Sequence, residues 1–357
     1  MTITFNNEDV MEFMRRTEAV YHAALFDPPY GLELADWDRD LAFQPDFWRS
    51  LKGVLVDGAI VIAFSIPRLY HRMATAAEAA GFEILSMLAW ITAQGLNKCR
   101  MFGDYSIGAQ AYRAALEPIL IARKKAKSYS KTAHQTGAGF LNVRGVGAKV
   151  KRKLCIRGRE VKRVVYNQRT SKSQPYTLDS NQRRITTNMV VMHSEGCTIE
   201  HCAPDCPDLT LRRLSGRPSE RYFQALFMKA EQLERAALPA LYVPKASRKE
   251  RELGVRTPSN QRNSLIHHRL NQHPTVKPLA LCYYLGKLIC PPPQYHATHN
   301  PRLFVPFSGT GSEVIGAALA GWQSIDAVEI DSSYVSIAKE RLSFWLGMPV
   351  QLELFYE

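Results

Sequence analysis

Short apolar runs alternate with helical patterns in the first third of the chain. Four runs have the length and residue types of buried strands: 21–25, 59–64, 82–91 and 117–122. A helical stretch at 71–80 separates two of them and ends at a glycine. Since strands that alternate with helices form parallel sheets, this part predicts a mostly parallel sheet covered by helices.

The same pattern returns near the end of the chain. It predicts strands at 303–307 and 324–330, a helix at 312–321 between them, and a final helix at 334–345. Within the first third, Asp57 and Gly58 are expected to form a turn before the strand at 59–64.

A polar segment interrupts this α/β pattern. Lys, Arg, Gly, Ser and Gln dominate from about residue 123 to residue 190, and one further helix is predicted at 222–237. We expect residues 1–124 and 271–357 to build one α/β sheet, with residues 125–270 inserted between them. A chain of 357 residues is long enough to bury a full core in such a domain.

Positive charge is concentrated in the polar segment. The chain has a net charge of +13, and residues 123–184 contain eighteen Lys and Arg but two acids. This segment therefore carries +16 and the rest of the chain −3. A solvated surface usually mixes both signs, so a one-signed block favours a polyanionic partner, above all nucleic acid. A disordered basic linker is the alternative for residues 123–150.

Overall composition is that of an ordinary globular protein, with 46% hydrophobic and 22% charged residues. The N-terminal residues include acids, and no apolar stretch of the kind found in signal peptides follows them. The longest apolar runs, such as Val54–Ile66, are too short to span a bilayer. We therefore expect a cytoplasmic protein with no membrane partner.

Seven cysteines in a chain without a signal peptide argue against a disulfide framework. Four residues in HSEGCTIEHCAPDCP, namely His193, Cys197, Cys202 and Cys206, could form a tetrahedral structural zinc site, with His201 as a substitute ligand. The spacing is not one of the tight CxxC patterns, so reduced cysteines without a metal are the alternative. Zinc would stabilise an insert that is too polar to bury a core.

The stretch FDPPYG, residues 26–31, follows the first predicted strand. An ordinary turn does not require a carboxylate, two prolines and an aromatic ring. Asp27 and Tyr30 therefore indicate a function beyond the turn, and the prolines hold the backbone around them in a fixed direction.

A glycine-rich turn lies in the last part of the predicted sheet, in VPFSGTGSEVIGA (305–317). Gly309 and Gly311 allow a ligand to approach the backbone at a helix N-terminus. Glu329 ends the next strand, where an acid binds ribose hydroxyls in nucleotide-binding α/β folds. No Lys-Ser or Lys-Thr follows the glycines, which excludes a P-loop. A nicotinamide dehydrogenase could use this turn, but it would explain neither FDPPYG nor the basic segment.

These two stretches and HPTVKPL (273–279), in this order around a basic insert, resemble the beta-class amino-DNA methyltransferases. Those enzymes use S-adenosyl-L-methionine to methylate the exocyclic amines of adenine or cytosine. NEDVMEFM (7–14), ALEPILIARK (115–124) and YVPKASRKERELG (242–254) also resemble family stretches. The resemblance implies a Rossmann-like methyltransferase sheet with circularly permuted motif order and an inserted target-recognition domain at 125–270.

The resemblance also implies roles for individual residues. FDPPYG resembles the catalytic motif, HPTVKPL the segment that packs on the methionine end of the cofactor, and PFSGTG the cofactor loop. Residues 1–124 would be the catalytic part of the domain and 271–357 its cofactor-binding part. The implied catalytic residues are Asp27, Pro28, Pro29 and Tyr30. The implied cofactor-binding residues are Asp9 (at the cofactor's adenine), His273, Thr275, Lys277, Pro306, Phe307, Ser308, Gly309, Thr310, Gly311 and Glu329.

The catalytic residues suit an amine whose lone pair is delocalised into the base. The Asp27 carboxylate and the backbone carbonyl of Pro28 or Pro29 could accept its two hydrogens and favour a pyramidal nitrogen. A target base must be flipped out of the duplex, and Tyr30 offers a stacking surface worth about 1–3 kcal/mol. Related enzymes with Asp at this first position mostly methylate adenine N6, so we expect adenine, with cytosine N4 as the alternative.

One position departs from the family pattern. Val305 stands where the family usually has Asp before Pro-Phe, so a carboxylate that would face the methionine portion of the cofactor is missing. Weaker cofactor binding is expected unless another group replaces it, and an inactive DNA-binding regulator with the same fold is a further alternative. The expected partner is double-stranded DNA, bound by a monomer or a homodimer.

Reversing the charges of Lys151, Arg152 and Lys153 to Glu should weaken DNA binding and reduce its salt dependence, because fewer phosphates would be neutralised. Titration of a labelled duplex at several salt concentrations measures both effects. The same reversal at Arg49, outside the basic segment, is the control and should leave the slope unchanged. An unchanged slope in the triple variant would remove residues 151–153 from the DNA interface.

Overall fold

The structure of the chain is a computed structural model. It describes residues 1–32, 38–91, 100–107, 116–143, 145–146, 189–192, 202–204, 206, 209, 213, 224–226, 246–256 and 270–347. The strands are Thr2–Asn6 (β1), Tyr21–Phe26 (β2), Leu55–Phe64 (β3), Phe82–Ile91 (β4), Arg100–Phe102 (β5), Tyr105–Ile107 (β6), Leu116–Lys124 (β7), Met189–Met192 (β8), Gln224–Leu226 (β9), Arg302–Pro306 (β10) and Ser324–Val328 (β11).

Nine α-helices are present in the described part of the chain, together with a 3-10 turn at Leu41–Phe43. They are Val10–Arg16 (α1), Pro45–Gly53 (α2), Tyr70–Ala79 (α3), Tyr129–Thr136 (α4), Arg248–Glu252 (α5), Leu279–Ile289 (α6), Pro293–His299 (α7), Ser312–Leu319 (α8) and Ser332–Leu346 (α9). None of these helices combines the length and the apolar character needed to cross a bilayer.

The main sheet has nine described strands in the order β1-β11-β10-β2-β3-β7-β4-β8-β9. Its strand pairs are parallel except those of β7, which runs antiparallel to both β3 and β4. β5 and β6 form a separate antiparallel pair. The prediction of a mostly parallel, Rossmann-like α/β sheet is therefore confirmed.

Both faces of the sheet are buried, as expected for parallel strands covered by helices. On β10, Leu303 and Val305 belong to the apolar cluster that includes α6 and α8, whereas Phe304 belongs to the cluster that includes α1, α2 and α3. This period-two alternation divides one strand between two cores. Val305 is fully buried among apolar side chains.

Two local expectations are wrong. Asp57 and Gly58 lie inside β3 and form no turn before it; Gly58 has φ +81°, and the pairing of β3 with β2 shifts register there. Within the helix predicted at 222–237, residues Gln224–Leu226 instead form a strand that pairs with β8, and the other positions of that helix lie outside the described residues. In both places tertiary pairing overrides a local signal, because sheet hydrogen bonds depend on a distant partner strand.

The basic segment lies mostly outside the described residues, and the division at residues 125 and 270 remains a prediction. The described ends of the predicted insert nevertheless pack on the α/β body. The amide of Asn142 donates to the carbonyl of Leu288 (2.7 Å), and Val146 joins the core around α6 and α8. At the other end, the amide of Leu279 donates to the Glu250 carboxylate (2.7 Å).

Helices α6 and α8 cross at closely apposed glycines. A Cβ atom at Gly316 would lie 2.5 Å from the backbone carbonyl carbon of Cys282, and one at Gly286 would lie 2.9 Å from the Cα atom of Ala317. Backbone atoms cannot move aside as a flexible side chain can. The N-terminus of α8 therefore depends on small residues for its position.

Gly316→Ala should lower the free energy of unfolding by about 1–3 kcal/mol, because the added methyl group overpacks the crossing of α6 and α8. Gly53→Ala, near the end of α2 with no atom within 4 Å of the new Cβ, is the matched control. It should be neutral or stabilising by up to about 1 kcal/mol. Urea unfolding measures both. Equal stability of the two variants would contradict the close packing.

Candidate active site

The candidate site lies where the strand order reverses direction. β2 continues to β3 on one side, β10 continues to β11 on the other, and β2 and β10 are parallel neighbours. In open α/β sheets such a reversal leaves a crevice at the carboxyl ends of the strands. FDPPYG follows β2 and the glycine-rich turn follows β10, so the two motifs meet at this crevice.

A pocket at this edge brings most of the predicted site residues together. It is lined by Glu8, Asp9, Val10, Asp27, Pro28, Pro29, Tyr30, Asp38, Arg39, Leu41, His273, Thr275, Phe307, Val328, Glu329 and Ile330. An adjoining smaller cavity shares four of these residues and adds Val276, Lys277, Ser308, Gly309, Thr310, Ser312 and Glu313. Of the predicted residues, Pro306 and Gly311 line neither cavity; they end β10 and precede α8.

The turn after β2 is held by a carboxylate that sequence patterns did not single out. The buried Asp38 side chain accepts hydrogen bonds from the backbone amides of Tyr30 (2.8 Å), Gly31 (2.9 Å) and Leu32 (2.9 Å). Gly31 has φ +63°, which a residue with a side chain rarely adopts. Three amide donors on one buried carboxylate give the turn a single conformation.

Asp27 is bound from both sides. The hydroxyl of Tyr30 donates to its Oδ1 atom (2.5 Å), and the Lys277 ammonium donates to its Oδ2 atom (2.5 Å). The Asp27 and Lys277 side chains are 8% and 5% exposed, so water screens this ion pair little. Burial and the adjacent Asp27 carboxylate raise the pKa of Tyr30 well above its ordinary value, so Tyr30 remains a hydrogen-bond donor.

Lys277 was predicted to bind the cofactor, and the structure places its ammonium at Asp27. Burial alone would lower the pKa of Lys277, but the carboxylates of Asp27, Glu117 and Glu313 outweigh burial and raise it. The ammonium also lies 4.9 Å from the centroid of the Phe64 ring, a cation–π distance. Lys277 is therefore a charged residue that compensates the Asp27 carboxylate.

The glycine-rich turn has left-handed backbone at three positions. Phe307 has φ +57°, Gly309 has φ +50° and Gly311 has φ +82°. The Phe307 ring stacks at a tilt against Phe47, with 5.5 Å between ring centroids. A Cβ atom at Gly309 would lie 2.9 Å from Nε2 of His273, so glycine lets the turn approach the HPTVKPL segment.

Two buried side chains that sequence reasoning missed hold this turn in place by hydrogen bonds. Nη1 of Arg341, on α9, donates to the carbonyl of Thr310 (2.5 Å) and to Oγ of Ser312 (3.2 Å). Asn271 donates to Oγ1 of Thr310 (3.1 Å). Burial lowers the pKa of Arg341 to about 10, so it stays protonated at neutral pH. No local motif marks Arg341, because it belongs to an otherwise ordinary helix.

The two predicted contacts to a nucleoside, Asp9 and Glu329, both line the main pocket and follow the neighbouring strands β1 and β11. Glu329 follows β11, and its carboxylate accepts from the amides of Gly309 (2.8 Å) and Asp331 (2.9 Å). Burial raises the pKa of Glu329 to about 7. Asp9 caps α1 by accepting from the amide of Met11 (2.8 Å), and its second oxygen accepts from Arg39 (2.5 Å).

His273 lies between the glycine-rich turn and the aromatic ring of Tyr334. Its ring meets the Tyr334 ring edge-on, with 4.6 Å between centroids, and its Nδ1 atom accepts from the amide of Thr275 (3.3 Å). Burial and the nearby cations Arg251 and Lys277 lower the pKa of His273 to about 3. The imidazole is therefore neutral at physiological pH.

The predicted zinc site lies largely outside the described residues. His193, Cys197 and His201 are not described, whereas Cys202 and Cys206 are described and Cys206 is buried. Within the described ranges, no group of three or more His, Cys, Asp or Glu side chains is arranged to hold a metal ion. The zinc site remains a prediction.

Comparison with known proteins gives a family match. The family model N6_N4_Mtase, described as DNA methylase, matches residues 21–340. No curated protein sequence matches the chain.

Solved structures show distant likeness. The M1.HpyAVI–SAM complex is 13% identical, with 96% of this chain and 99% of that chain covered and a TM-score of 0.43. TTHA0409 from Thermus thermophilus, a candidate DNA modification methylase complexed with S-adenosyl-L-methionine, is 15% identical, with 96% and 94% covered and a TM-score of 0.46. The cytosine-N4-specific PvuII DNA methyltransferase is 11% identical, with 96% and 86% covered and a TM-score of 0.45.

Lys277→Met should destabilise the fold by about 3–5 kcal/mol, because it leaves the Asp27 carboxylate buried without its cation. Adding Asp27→Asn removes the uncompensated charge and should restore most of this loss. Thermal and urea unfolding of the two single variants and the double variant measure the coupling between the side chains. Additive effects of the two substitutions would show that the ion pair does not couple them.

Proposed function

The chain belongs to the N6/N4 family of DNA methylases, the DNA amino-methyltransferases, and on this premise we propose that it methylates the N6 amine of adenine in DNA. The methyl donor is S-adenosyl-L-methionine. The observation that supports this proposal most directly is the shared pocket, which unites the buried Asp27 carboxylate with His273, Thr275 and Glu329 from the second half of the chain.

Asp27 would hold the target amine as a hydrogen-bond acceptor. Each carboxylate oxygen has two acceptor positions, and the bonds from Tyr30 and Lys277 use one on each oxygen. A further position on each oxygen can accept an N–H from the base. The two existing donors orient the carboxylate before the base arrives, and such preorganisation is what stabilises charge that develops during a reaction.

Tyr30 would supply the stacking surface for a flipped base. Tyr30 lines the pocket, and its hydroxyl bond to Asp27 fixes the ring in one orientation. A fixed aromatic face loses little conformational entropy when a base stacks on it. The carbonyl of Pro28 or Pro29, in a turn whose φ angles are restricted, would accept the second amine hydrogen.

The residues around the pocket suit S-adenosyl-L-methionine. Asp9 would offer a carboxylate oxygen to the adenine amine, and Glu329 would offer one to the ribose hydroxyls. Gly309 and Gly311 leave the backbone at the N-terminus of α8 open to a ligand. When bound, the cofactor supplies an electrophilic methyl group on a sulfonium. The protein contributes position, since holding the amine and the donor together accounts for much of such a rate enhancement.

Adenine is preferred over cytosine because Asp27 occupies the first position of the catalytic motif, where related enzymes that act on adenine mostly have Asp. Cytosine N4 is the second candidate, since its amine also presents two N–H donors. The product distinguishes them. DNA treated with enzyme and labelled S-adenosyl-L-methionine is digested to nucleosides, and mass spectrometry identifies N6-methyladenine or N4-methylcytosine.

Double-stranded DNA is the proposed substrate, and the basic segment at 123–184 is proposed to bind its phosphates. A monomer or a homodimer remains our expectation. If the purified protein bound DNA but neither bound S-adenosyl-L-methionine nor labelled the nucleobases, an inactive regulator would replace the proposed enzyme.

Asp27→Ala should reduce methyl transfer by at least about 100-fold, because the amine loses its main acceptor, while cofactor binding changes little. Asp27→Asn keeps one acceptor oxygen and should retain more activity than the alanine variant. Transfer of a tritiated methyl group measures the rate, and calorimetry measures cofactor affinity. Equal losses of rate and affinity in Asp27→Ala would contradict the role of Asp27 at the amine.

A further inference from the structure

A buried carboxylate that is not among the predicted site residues lines the smaller cavity. Glu313 lies in the first turn of α8 and is 5% exposed. It lines the cavity together with Asp27, Thr275, Lys277 and Ser308. Nothing in the three motifs explains an acid here, and a buried acid is costly unless a donor or a cation meets it.

The Glu313 carboxylate has no side-chain partner in the described part of the chain. No described Lys, Arg or His nitrogen lies within 4.0 Å of it, and the nearby Lys277 ammonium is paired with Asp27. Burial and the neighbouring Asp27 carboxylate raise the pKa of Glu313 to about 7, although Lys277, its own amide and Arg341 act to lower it. Two carboxylates and one ammonium therefore share this corner of the pocket.

The N-terminus of α8, which favours negative charge, lies beside the Glu313 carboxylate. α8 begins after Gly311, and the first N–H groups of a helix have no carbonyl one turn earlier to accept them. Such N–H groups bind carboxylates. A carboxylate side chain next to the amide donors of a helix N-terminus is complementary to a zwitterion, which carries an ammonium and a carboxylate on one carbon atom.

We propose that Glu313 binds the α-ammonium group at the amino-acid end of S-adenosyl-L-methionine, with the N-terminus of α8 receiving the α-carboxylate. This inference rests on the proposed function and adds a residue to its cofactor site. The ammonium would provide the cation that Glu313 lacks, and the turn supported by Arg341 and Asn271 would hold the helix N-terminus in place.

The proposal predicts that affinity for the cofactor depends on pH. A ligand ammonium favours the ionised form of Glu313, so binding near pH 7 should release protons, and affinity should fall as pH drops below about 7. The other charged or titratable groups that influence Glu313 or its neighbours here are Asp27, Lys277, Arg341, Glu250, Cys282 and His273. Glu329 in the main pocket has a similarly raised pKa and must be separated from Glu313 by mutation.

Binding of S-adenosyl-L-homocysteine, which has the same amino-acid end, tests the proposal by calorimetry at pH 6, 7 and 8. Its analogue without the amino group is the matched ligand. The wild type should bind the analogue roughly 10- to 100-fold more weakly at pH 8. Glu313→Gln should weaken binding of the complete ligand by a similar factor and leave binding of the analogue unchanged.

Proton release, measured in buffers of different ionisation enthalpy, should be smaller in Glu313→Gln than in the wild type. Glu329→Gln is the control variant and should retain the discrimination between the two ligands. The proposal would be overturned if Glu313→Gln lost affinity for both ligands equally, or if the wild type bound both ligands with equal affinity. If the wild type bound neither S-adenosyl-L-methionine nor S-adenosyl-L-homocysteine, the proposed function itself would fail. The wild-type comparison needs no variant, so misfolding of Glu313→Gln cannot leave the question open.

Discussion

The parallel pairing of β2 with β10 is the constraint on which the rest of the site depends. Ala23 pairs with Leu303 and Ala24 with Phe304, which places the ends of two strands from opposite ends of the chain side by side. The catalytic-type turn follows one strand and the glycine-rich turn follows the other. Hydrogen bonds between neighbouring strands hold them about 5 Å apart, so the two turns share one crevice whatever the length of the segment between them. An insert of great length can therefore be accommodated without separating the two halves of the site.

Buried charge in the crevice is predominantly negative. Asp27 and Glu313 are both buried carboxylates, and Lys277 is the buried cation paired with the former. When both acids are ionised, these three side chains carry two negative charges and one positive charge. A DNA amino-methyltransferase must bind a cationic donor next to an anionic nucleic acid, and an excess of buried carboxylate favours the donor. The same charges make the site costly to fold, because ions removed from water lose hydration that only good partners replace.

Rigidity is provided by buried polar side chains that bind the backbone of the two turns. Asp38 binds three amides of the turn after β2, and Arg341 binds the turn after β10 through Thr310 and Ser312. A polar group buried with several hydrogen bonds permits one arrangement, since any other leaves donors or acceptors unpaired. Both turns therefore have their shape set by side chains outside the turns themselves, Asp38 nearby in sequence and Arg341 about thirty residues away, and the ligand-binding backbone does not depend on the ligand for its conformation.

The amino-acid sequence by itself determined the α/β character, most strand and helix positions around the sheet, and the motifs that gather at its edge, because hydrophobic periodicity and turn chemistry are local properties. The family resemblance correctly indicated a DNA amino-methyltransferase. Local patterns misjudged Gly58, which lies within a strand, and residues 224–226, whose strand requires a distant partner. Only the tertiary structure decided that Lys277 meets Asp27 and that Glu313 faces the same cavity. Those relations depend on which strands and helices become neighbours, and burial then changes the charges they carry; neither property is contained in any short stretch of sequence.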